Sequence, residues 1–351
     1  MTKDIKSMNL AELTEAMADL GQPKYRAAQI YEWMHKKLAT GFAEMTNLPA
    51  ALREKLDNEF EYTLARVETV QTSKIDGTQK YLFALADGSL VESVLMKYHH
   101  GNSVCISSQV GCRMGCRFCA STLDGLTRCL TAAEMLEQIY RISAITGERV
   151  SNVVVMGTGE PMDNYDNLLK FIRMLTDENG LNISQRNITV STCGLVENMR
   201  RLAEEKLSIT LALSLHSVTD EKRRTLMPIA NKYTIAELMD ACRYYFEQTG
   251  RRITFEYSLV RDVNDTDEDA EGLIRLANKV GAHVNLIPVN PIKERDYKET
   301  TGPRVAAFKN KLEKSRINVT IRREMGRDID GACGQLRKRK LDMQNGKESE
   351  C

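Results

Sequence analysis

The sequence predicts an α/β protein: a full or partial barrel of parallel βα units, preceded by a small helical domain and a few short antiparallel strands. Three observations predict it. The N-terminal region carries apolar residues at helical spacing. Asp-Gly pairs then punctuate alternating apolar runs. From about residue 103, apolar β-type runs recur with helix-like segments between most of them.

The N-terminal helices come first. Leu10, Leu13 and Met17 recur at helical spacing, and Arg26–Leu38 follows a Gly-Gln-Pro break with Ile30, Trp33 and Met34 on one face. Residues 1–60 are therefore expected to form a helical accessory domain. Asp76-Gly77 and Asp87-Gly88 between alternating runs are hairpin signals, so residues 61–98 are expected to be short antiparallel strands or a linker. The β runs that follow are Val104–Ser107, Val153–Met156, Ile188–Ser191, Ile209–Leu215, Thr254–Leu259, Val284–Val289 and Val319–Ile321. Helical patterns intervene, among them Ala132–Ile145, Asn167–Leu175, Ile235–Phe246 and Asp267–Val280. This alternation implies a parallel sheet with right-handed crossovers, and six or seven such units make a full or partial barrel. Its chemistry belongs at the C-terminal ends of the strands. Residues 99–336 are expected to be this core, and the polar, basic stretch 337–351 a disordered tail.

The 351 residues, 42% hydrophobic, are enough for one large core and a small accessory unit. A net charge of +1 neither proves nor excludes a nucleic-acid partner. The runs Lys222-Arg223-Arg224, Arg251-Arg252, Arg322-Arg323 and Arg337-Lys338-Arg339-Lys340 read singly as solvated faces; they matter if several line one mouth. No stretch approaches the ~20 apolar residues of a membrane helix, and Met1–Lys6 lacks a signal-peptide core, so a cytoplasmic protein is expected. Nine cysteines, three in one tight run, point to metal or redox chemistry rather than a disulfide framework.

That run, Cys112-Arg113-Met114-Gly115-Cys116-Arg117-Phe118-Cys119, is the sharpest signal. Three thiolates this close can hold three corners of a [4Fe–4S] cubane, which normally takes four cysteines. No fourth follows at ligand spacing, so one iron stays open to the amino and carboxylate groups of S-adenosylmethionine. The alternatives are a zinc site or buried thiols, but structural zinc favours four ligands and no second Cys or His pair completes a set.

The cysteine run is the signature of the radical S-adenosylmethionine superfamily, and the chain resembles it further. Met156-Gly157-Thr158-Gly159-Glu160-Pro161 follows an apolar strand and resembles its Gly-Glu-Pro segment. Ser191, and Ser214-Leu215-His216, end two later strands. Alone, the glycine turn is an ordinary βα turn, and His216 a satisfied structural histidine. Cys105 and Cys333, the latter in Asp328-Ile329-Asp330-Gly331-Ala332-Cys333-Gly334, read alone as small core residues. Cys105 and Cys112 are expected on one strand.

Taken together, the chain to about Leu336 resembles the adenine-C2 RNA methyltransferases of the RlmN family. The segments that carry this are Cys-Ile-Ser-Ser-Gln-Val-Gly-Cys, the cysteine run, Met-Gly-Thr-Gly-Glu-Pro, Val-Ser-Thr-Cys-Gly, Leu-Ser-Leu-His, Asn-Leu-Ile-Pro-Val-Asn-Pro and Asp-Ile-Asp-Gly-Ala-Cys-Gly-Gln-Leu. The resemblance implies the superfamily's partial (β/α)6 barrel. It implies Cys112, Cys116 and Cys119 as cluster ligands, and Gly159, Glu160, Ser191, Ser214, Leu215, His216 and Asn290 as S-adenosylmethionine contacts. It implies Cys333 as methyl carrier, Cys105 as its resolving partner and Glu92 as proton acceptor; read alone, Glu92 is an exposed strand carboxylate. Cys129, Cys193, Cys242 and Cys351 receive no role.

The implied reaction uses two molecules of S-adenosylmethionine. Adenine C2 is electron-poor and cannot attack a sulfonium methyl, whereas a carbon radical can add to it. The first cofactor methylates Cys333. The second is cleaved at the cluster, and its radical takes a hydrogen from the S-methyl. The thiomethylene radical adds to C2, Glu92 removes the C2 proton, and Cys105 attacks Cys333 to form a disulfide and free the RNA. The implied partners are 23S rRNA and tRNA, presenting an unstacked base, and a one-electron donor such as a flavodoxin or ferredoxin. A monomer away from membranes is expected. The rivals are the related adenine-C8 branch, which departs from Gly-Glu-Pro, a non-catalytic iron–sulfur RNA-binding protein, and a zinc scaffold.

Overall fold

The structure is a computed structural model that describes residues 3–99, 101–289, 296–329 and 334–344. The N-terminal helices are α1 (Leu10–Asp19), α2 (Tyr25–His35) and α3 (Ala50–Glu59). α1 starts at a capping box, in which the Asn9 side chain accepts from the Glu12 amide and the Glu12 side chain from the Asn9 amide. Strands β1 (Lys3–Asp4) and β2 (Phe60–Glu61) pair in parallel and close this unit at both ends. It has no core of its own. Leu13, Met17, Ile30, Met34, Leu52 and Leu56 belong to the same buried cluster as Leu136, Val153 and Leu213 of the barrel.

Next come β3 (Arg66–Thr72), β4 (Gln79–Ala84), β5 (Leu90–Tyr98), β6 (Gly101–Cys105), and the short pair β7 (Gln109–Gly111) and β8 (Leu126–Cys129). The remaining strands are β9 (Val150–Val155), β10 (Ile188–Thr192), β11 (Thr210–Ser214), β12 (Thr254–Leu259), β13 (His283–Pro288) and β14 (Val319–Ile321). One sheet runs in the order β14-β13-β12-β11-β10-β9-β6-β5-β4-β3. From β14 to β6 every pairing is parallel; β5, β4 and β3 continue it antiparallel. β6 pairs with β5 rather than with β14, so the parallel part stays open.

The crossovers carry α4 (Ala132–Thr146), α5 (Tyr165–Leu175), α6 (Val196–Glu204), α7 (Asp220–Leu226), α8 (Ile235–Thr249), α9 (Asp267–Val280) and α10 (Gly302–Lys314). Six βα units and a seventh strand result, as a partial (β/α)6 barrel requires. Helices α4, α8 and α9 share one local grammar. Thr131, Thr234 and Thr266 form capping boxes with Glu134, Glu237 and Asp269, and Gly147, Gly250 and Gly281 end the helices in the left-handed region.

The short antiparallel strands expected over residues 61–98 are β3–β5, which extend the barrel sheet, with the Asp-Gly turns between β3 and β4 and between β4 and β5. Two expectations are corrected. Cys105 ends β6, whereas Cys112 lies beyond β7, so they are not on one strand. The expected disordered tail begins with a helix, α11 (Gln335–Gln344), whose Leu336 and Leu341 pack on Leu82, Ala84 and Leu90.

Candidate active site

A cavity of about 260 Å³ opens at the C-terminal ends of the parallel strands. It is lined by Cys112, Cys116 and Cys119, by Gly157, Gly159 and Glu160, and by Ser191, Ser214 and His216. Residues distant in the chain and picked from sequence thus share one wall, as strand-end chemistry predicts.

The cysteine run occupies the loop between β7 and β8. The Cys112 amide donates to the Gly125 carbonyl at 2.8 Å, and the Arg117 amide donates to the Leu226 carbonyl, at the end of α7, at 2.9 Å. Thr122 Oγ1 donates to the Cys116 and Cys119 carbonyls at 3.0 and 2.9 Å. Met114, Phe118 and Met227 shield the thiols. Burial pushes the Cys112 thiol up to about 12 and the Cys116 thiol well above the ordinary range. In such surroundings a thiol ionises when a cationic centre supplies the missing charge. Among the described residues no three His, Cys, Asp or Glu side chains converge as ligands of a single ion must. Ligands to separate irons of a cluster need not converge, so this soft, shielded donor set fits a [4Fe–4S] cluster.

The glycine turn is dictated by close approach. A Cβ on Gly157 would stand 2.7 Å from the Ile106 carbonyl oxygen. Gly159 adopts φ +107°, and a Cβ there would stand 2.6 Å from Gln109 Cβ. Both glycines thus let the turn lie against the loop that leads to the cysteines. Glu160 is buried; its Oε1 accepts from the Met162 amide at 3.0 Å and its Oε2 from the Cys193 amide at 2.7 Å. Burial raises its pKa despite these bonds. The Thr192 and Cys193 side chains also hydrogen-bond to it, which favours its charged form.

Ser191 and Ser214 sit side by side across β10 and β11, their hydroxyls 3.4 Å apart. His216 adopts φ +54°, uncommon for a non-glycine residue. Its Nδ1 accepts from the Ser258 amide at 2.9 Å, which leaves the proton of the neutral ring on Nε2. Burial lowers its pKa to about 3, so the ring stays neutral. Phe118 packs edge-on against it. Leu215 is fully buried and does not line the cavity. Asn290 and Cys333 lie outside the described residues, but Pro288 and Val289, just before Asn290, line the cavity.

Glu92 does not line the cavity, and it is buried rather than exposed. Its Oε2 pairs with Lys80 at 3.0 Å and accepts from the Gly334 amide at 2.6 Å, while its Oε1 accepts from the Arg337 amide at 2.6 Å. It therefore caps the start of α11, the segment that follows Cys333. Gly334 itself lies against Ser121, where a Cβ would stand 2.8 Å from the amide nitrogen. Cys105 is buried beside Met156, a residue of the cavity wall.

Glu256, Arg322 and Cys193 also line the cavity. Glu256 is buried, its pKa is raised by burial, and it accepts from Asn285 Nδ2 at 2.9 Å. A lone carboxylate inside the run Thr-Phe-Glu-Tyr-Ser-Leu was the available signal for it. Register pairs it with Ser214 on the neighbouring strand. The basic runs are split by the fold: Arg223 and Arg337 are buried, not solvated.

The barrel, the cysteine loop and the glycine turn define a radical S-adenosylmethionine enzyme, and residues 106–277 match the radical SAM superfamily. Residues 3–61 match the N-terminal domain of ribosomal RNA large subunit methyltransferases. The chain is 68% identical over 339 residues to a probable dual-specificity RNA methyltransferase RlmN of Lachnospira eligens, covering 97% of each chain. It is 62% identical to the corresponding protein of Lachnoclostridium phytofermentans, covering 97% of this chain and 95% of that one. The crystal structure of a radical SAM methyltransferase from Sphaerobacter thermophilus superposes with a TM-score of 0.91 at 42% identity, covering 95% and 98% of the two chains. The chain belongs to the RlmN family and is a radical SAM RNA methyltransferase. No helix among the described residues is long and apolar enough to cross a membrane.

Proposed function

We propose that the chain methylates C2 of an adenine in 23S rRNA and in tRNA, in the cytoplasm, through a methylated Cys333. The observation that supports this is the single cavity that gathers Cys112, Cys116 and Cys119 with Gly159, Glu160, Ser191, Ser214 and His216. The three cysteines would hold a [4Fe–4S] cluster, and the other five residues, with Asn290, would hold S-adenosylmethionine, while Leu215, whose amide and carbonyl are engaged within the protein, would support the strand end from behind. When bound, these groups supply the methyl group and a hydrogen-abstracting radical, with two molecules of S-adenosylmethionine used per turnover and electrons from a flavodoxin- or ferredoxin-type donor.

The chain's own residues position and protect. Glu160 accepts from the cofactor's ammonium group. Ser191 and Ser214 offer hydroxyls, and neutral His216 offers its Nε2–H. Phe118, Met114 and Met227 keep water from the thiolates. Cys333 carries the methyl carbon to the adenine. Glu92 accepts the C2 proton once the Gly334 and Arg337 amides leave its oxygens. The odd electron of the adduct would pass back to the metal centre, and Cys105 then attacks the Cys333 sulfur. The S–S bond forms, the S–C bond breaks, and its electron pair stays with the methyl carbon, which takes up a proton.

Anaerobic reconstitution followed by methylation of rRNA and tRNA fragments with labelled S-adenosylmethionine tests this reading. Mass mapping should place the methyl on C2; C8 would assign the chain to the rival branch. Replacing Cys112, Cys116 or Cys119 by Ala should remove the brown chromophore, and an unchanged spectrum refutes the ligand assignment. Cys105→Ala should accumulate a covalent protein–RNA adduct, and Cys333→Ala should abolish transfer before any adduct. Full activity in both would end the two-cysteine scheme.

A further inference from the structure

Arg223 stands in a basic run of the sequence, yet its side chain is fully buried. Its Nη2 donates to the Cys193 carbonyl at 2.7 Å and to the Ser214 carbonyl at 3.4 Å, and its Nε donates to the Leu215 carbonyl at 3.2 Å. Nη1 has no hydrogen-bond partner among the described residues. The carboxylate with most influence on it is Asp220, one turn earlier on α7, whose Oδ1 is engaged by the Ile235 amide. A buried cation held only by carbonyl dipoles is costly unless a negative group lies nearby.

The helix that carries Arg223 is built into the cysteine site. The Leu226 carbonyl receives the Arg117 amide, a Cβ on Gly115 would stand 3.3 Å from Pro228 Cγ, and Met227 lines the cavity. Cys116, Cys193, Leu226 and Met227 form one packed cluster. Two of the three carbonyls that hold the guanidinium belong to Cys193 and Ser214, both cavity residues. The guanidinium therefore lies behind the wall against which Cys116 packs.

We propose that Arg223 is a positioning residue that serves as the fixed counter-charge of the metal centre, so that it governs how readily that centre accepts an electron. This rests on the reading that Cys112, Cys116 and Cys119 hold a [4Fe–4S] cluster. One-electron reduction adds one negative charge beside the guanidinium, and no proton is needed to balance it. A fixed cation stabilises the reduced form more than the oxidised one.

The test compares Arg223→Met, Arg223→Gln and Arg223→Lys with the unsubstituted protein. Each is reconstituted anaerobically, assayed for iron and sulfide, and titrated with dithionite and mediators while the reduced centre is followed by electron paramagnetic resonance. The Met and Gln variants should bind a full complement of iron, yet the equilibrium constant for reduction should fall at least tenfold, a negative shift of 59 mV for a one-electron couple. Arg223→Lys should keep most of the potential. The gain in melting temperature on cluster loading should also shrink in Arg223→Gln. Unchanged potentials in iron-loaded Met and Gln variants would overturn the proposal, as would a Lys variant shifted as far as Met. Failure of the Met and Gln variants to fold even when loaded would show the guanidinium to be a strut for three carbonyls, and would likewise overturn it. If the unsubstituted protein binds no iron and sulfide, the cluster reading itself fails, and the iron assay separates that outcome from the others.

Discussion

Two buried lysine–glutamate pairs hold the two ends of this chain onto the barrel, and they are built differently. At the N-terminus Lys6 pairs with Glu137 of α4. Glu137 also accepts from the Ala65 amide at 3.1 Å and pairs with Arg141 at 3.3 Å, while the Lys6 ammonium lies over the rings of Tyr62 and Tyr140. Burial lowers the Lys6 pKa, and the large shared apolar core closes over the pair. At the C-terminus Lys80 pairs with Glu92, whose oxygens hold two backbone amides at the start of α11. The apolar cover there is small: Leu82, Ala84, Leu90 and Leu336, with Leu341 against them. The same ion-pair chemistry thus welds a scaffold at one end and clips a segment at the other. The clipped segment follows the proposed methyl carrier, which has to meet both cofactor and RNA.

The largest test removes the weld. Glu137→Ala leaves Lys6 buried without its partner, and should cost about 3–5 kcal/mol in urea unfolding while leaving the alkylation rate of Cys333 unchanged. Lys80→Met removes the other lysine but leaves Glu92 its two amides, so the loss should be smaller, about 1–3 kcal/mol. Its signature should be local, with faster alkylation of Cys333 and faster hydrogen exchange in 334–344. Equal global losses and equal alkylation in the two variants would erase the distinction.

A smaller effect sharpens the N-terminal side. His35 is buried, its Nδ1 2.8 Å from the Tyr140 hydroxyl, and burial lowers its pKa to about 3. Above the unfolded value, near 6.5, both states are neutral and the residue adds no pH dependence. Below it the unfolded chain takes a proton that the folded chain refuses. Stability should therefore fall toward acid by about 1.4 kcal/mol per pH unit from this group until pH nears 3. His216 in the cavity adds a like share. Urea unfolding between pH 6.5 and 5 should be less pH-dependent in His35→Gln, and an unchanged slope would contradict the buried neutral ring.

The sequence by itself determined what is local. Cysteine spacing marked the loop of Cys112, Cys116 and Cys119, the βα rhythm marked the barrel, and Asp-Gly pairs marked the turns between β3, β4 and β5. These patterns are legible because a turn, a cap or a chelating loop is specified by residues a few positions apart. Tertiary structure decided which chemically similar residues do different work. Arg223 reads like Arg224, and Arg337 like Arg339, yet Arg223 and Arg337 are buried. Glu92 reads as a surface carboxylate until Lys80, Gly334 and Arg337 converge on it. Glu256 enters the site through strand register with Ser214. The cost of burying a charge is repaid only by partners brought from elsewhere in the chain, and no local pattern names them.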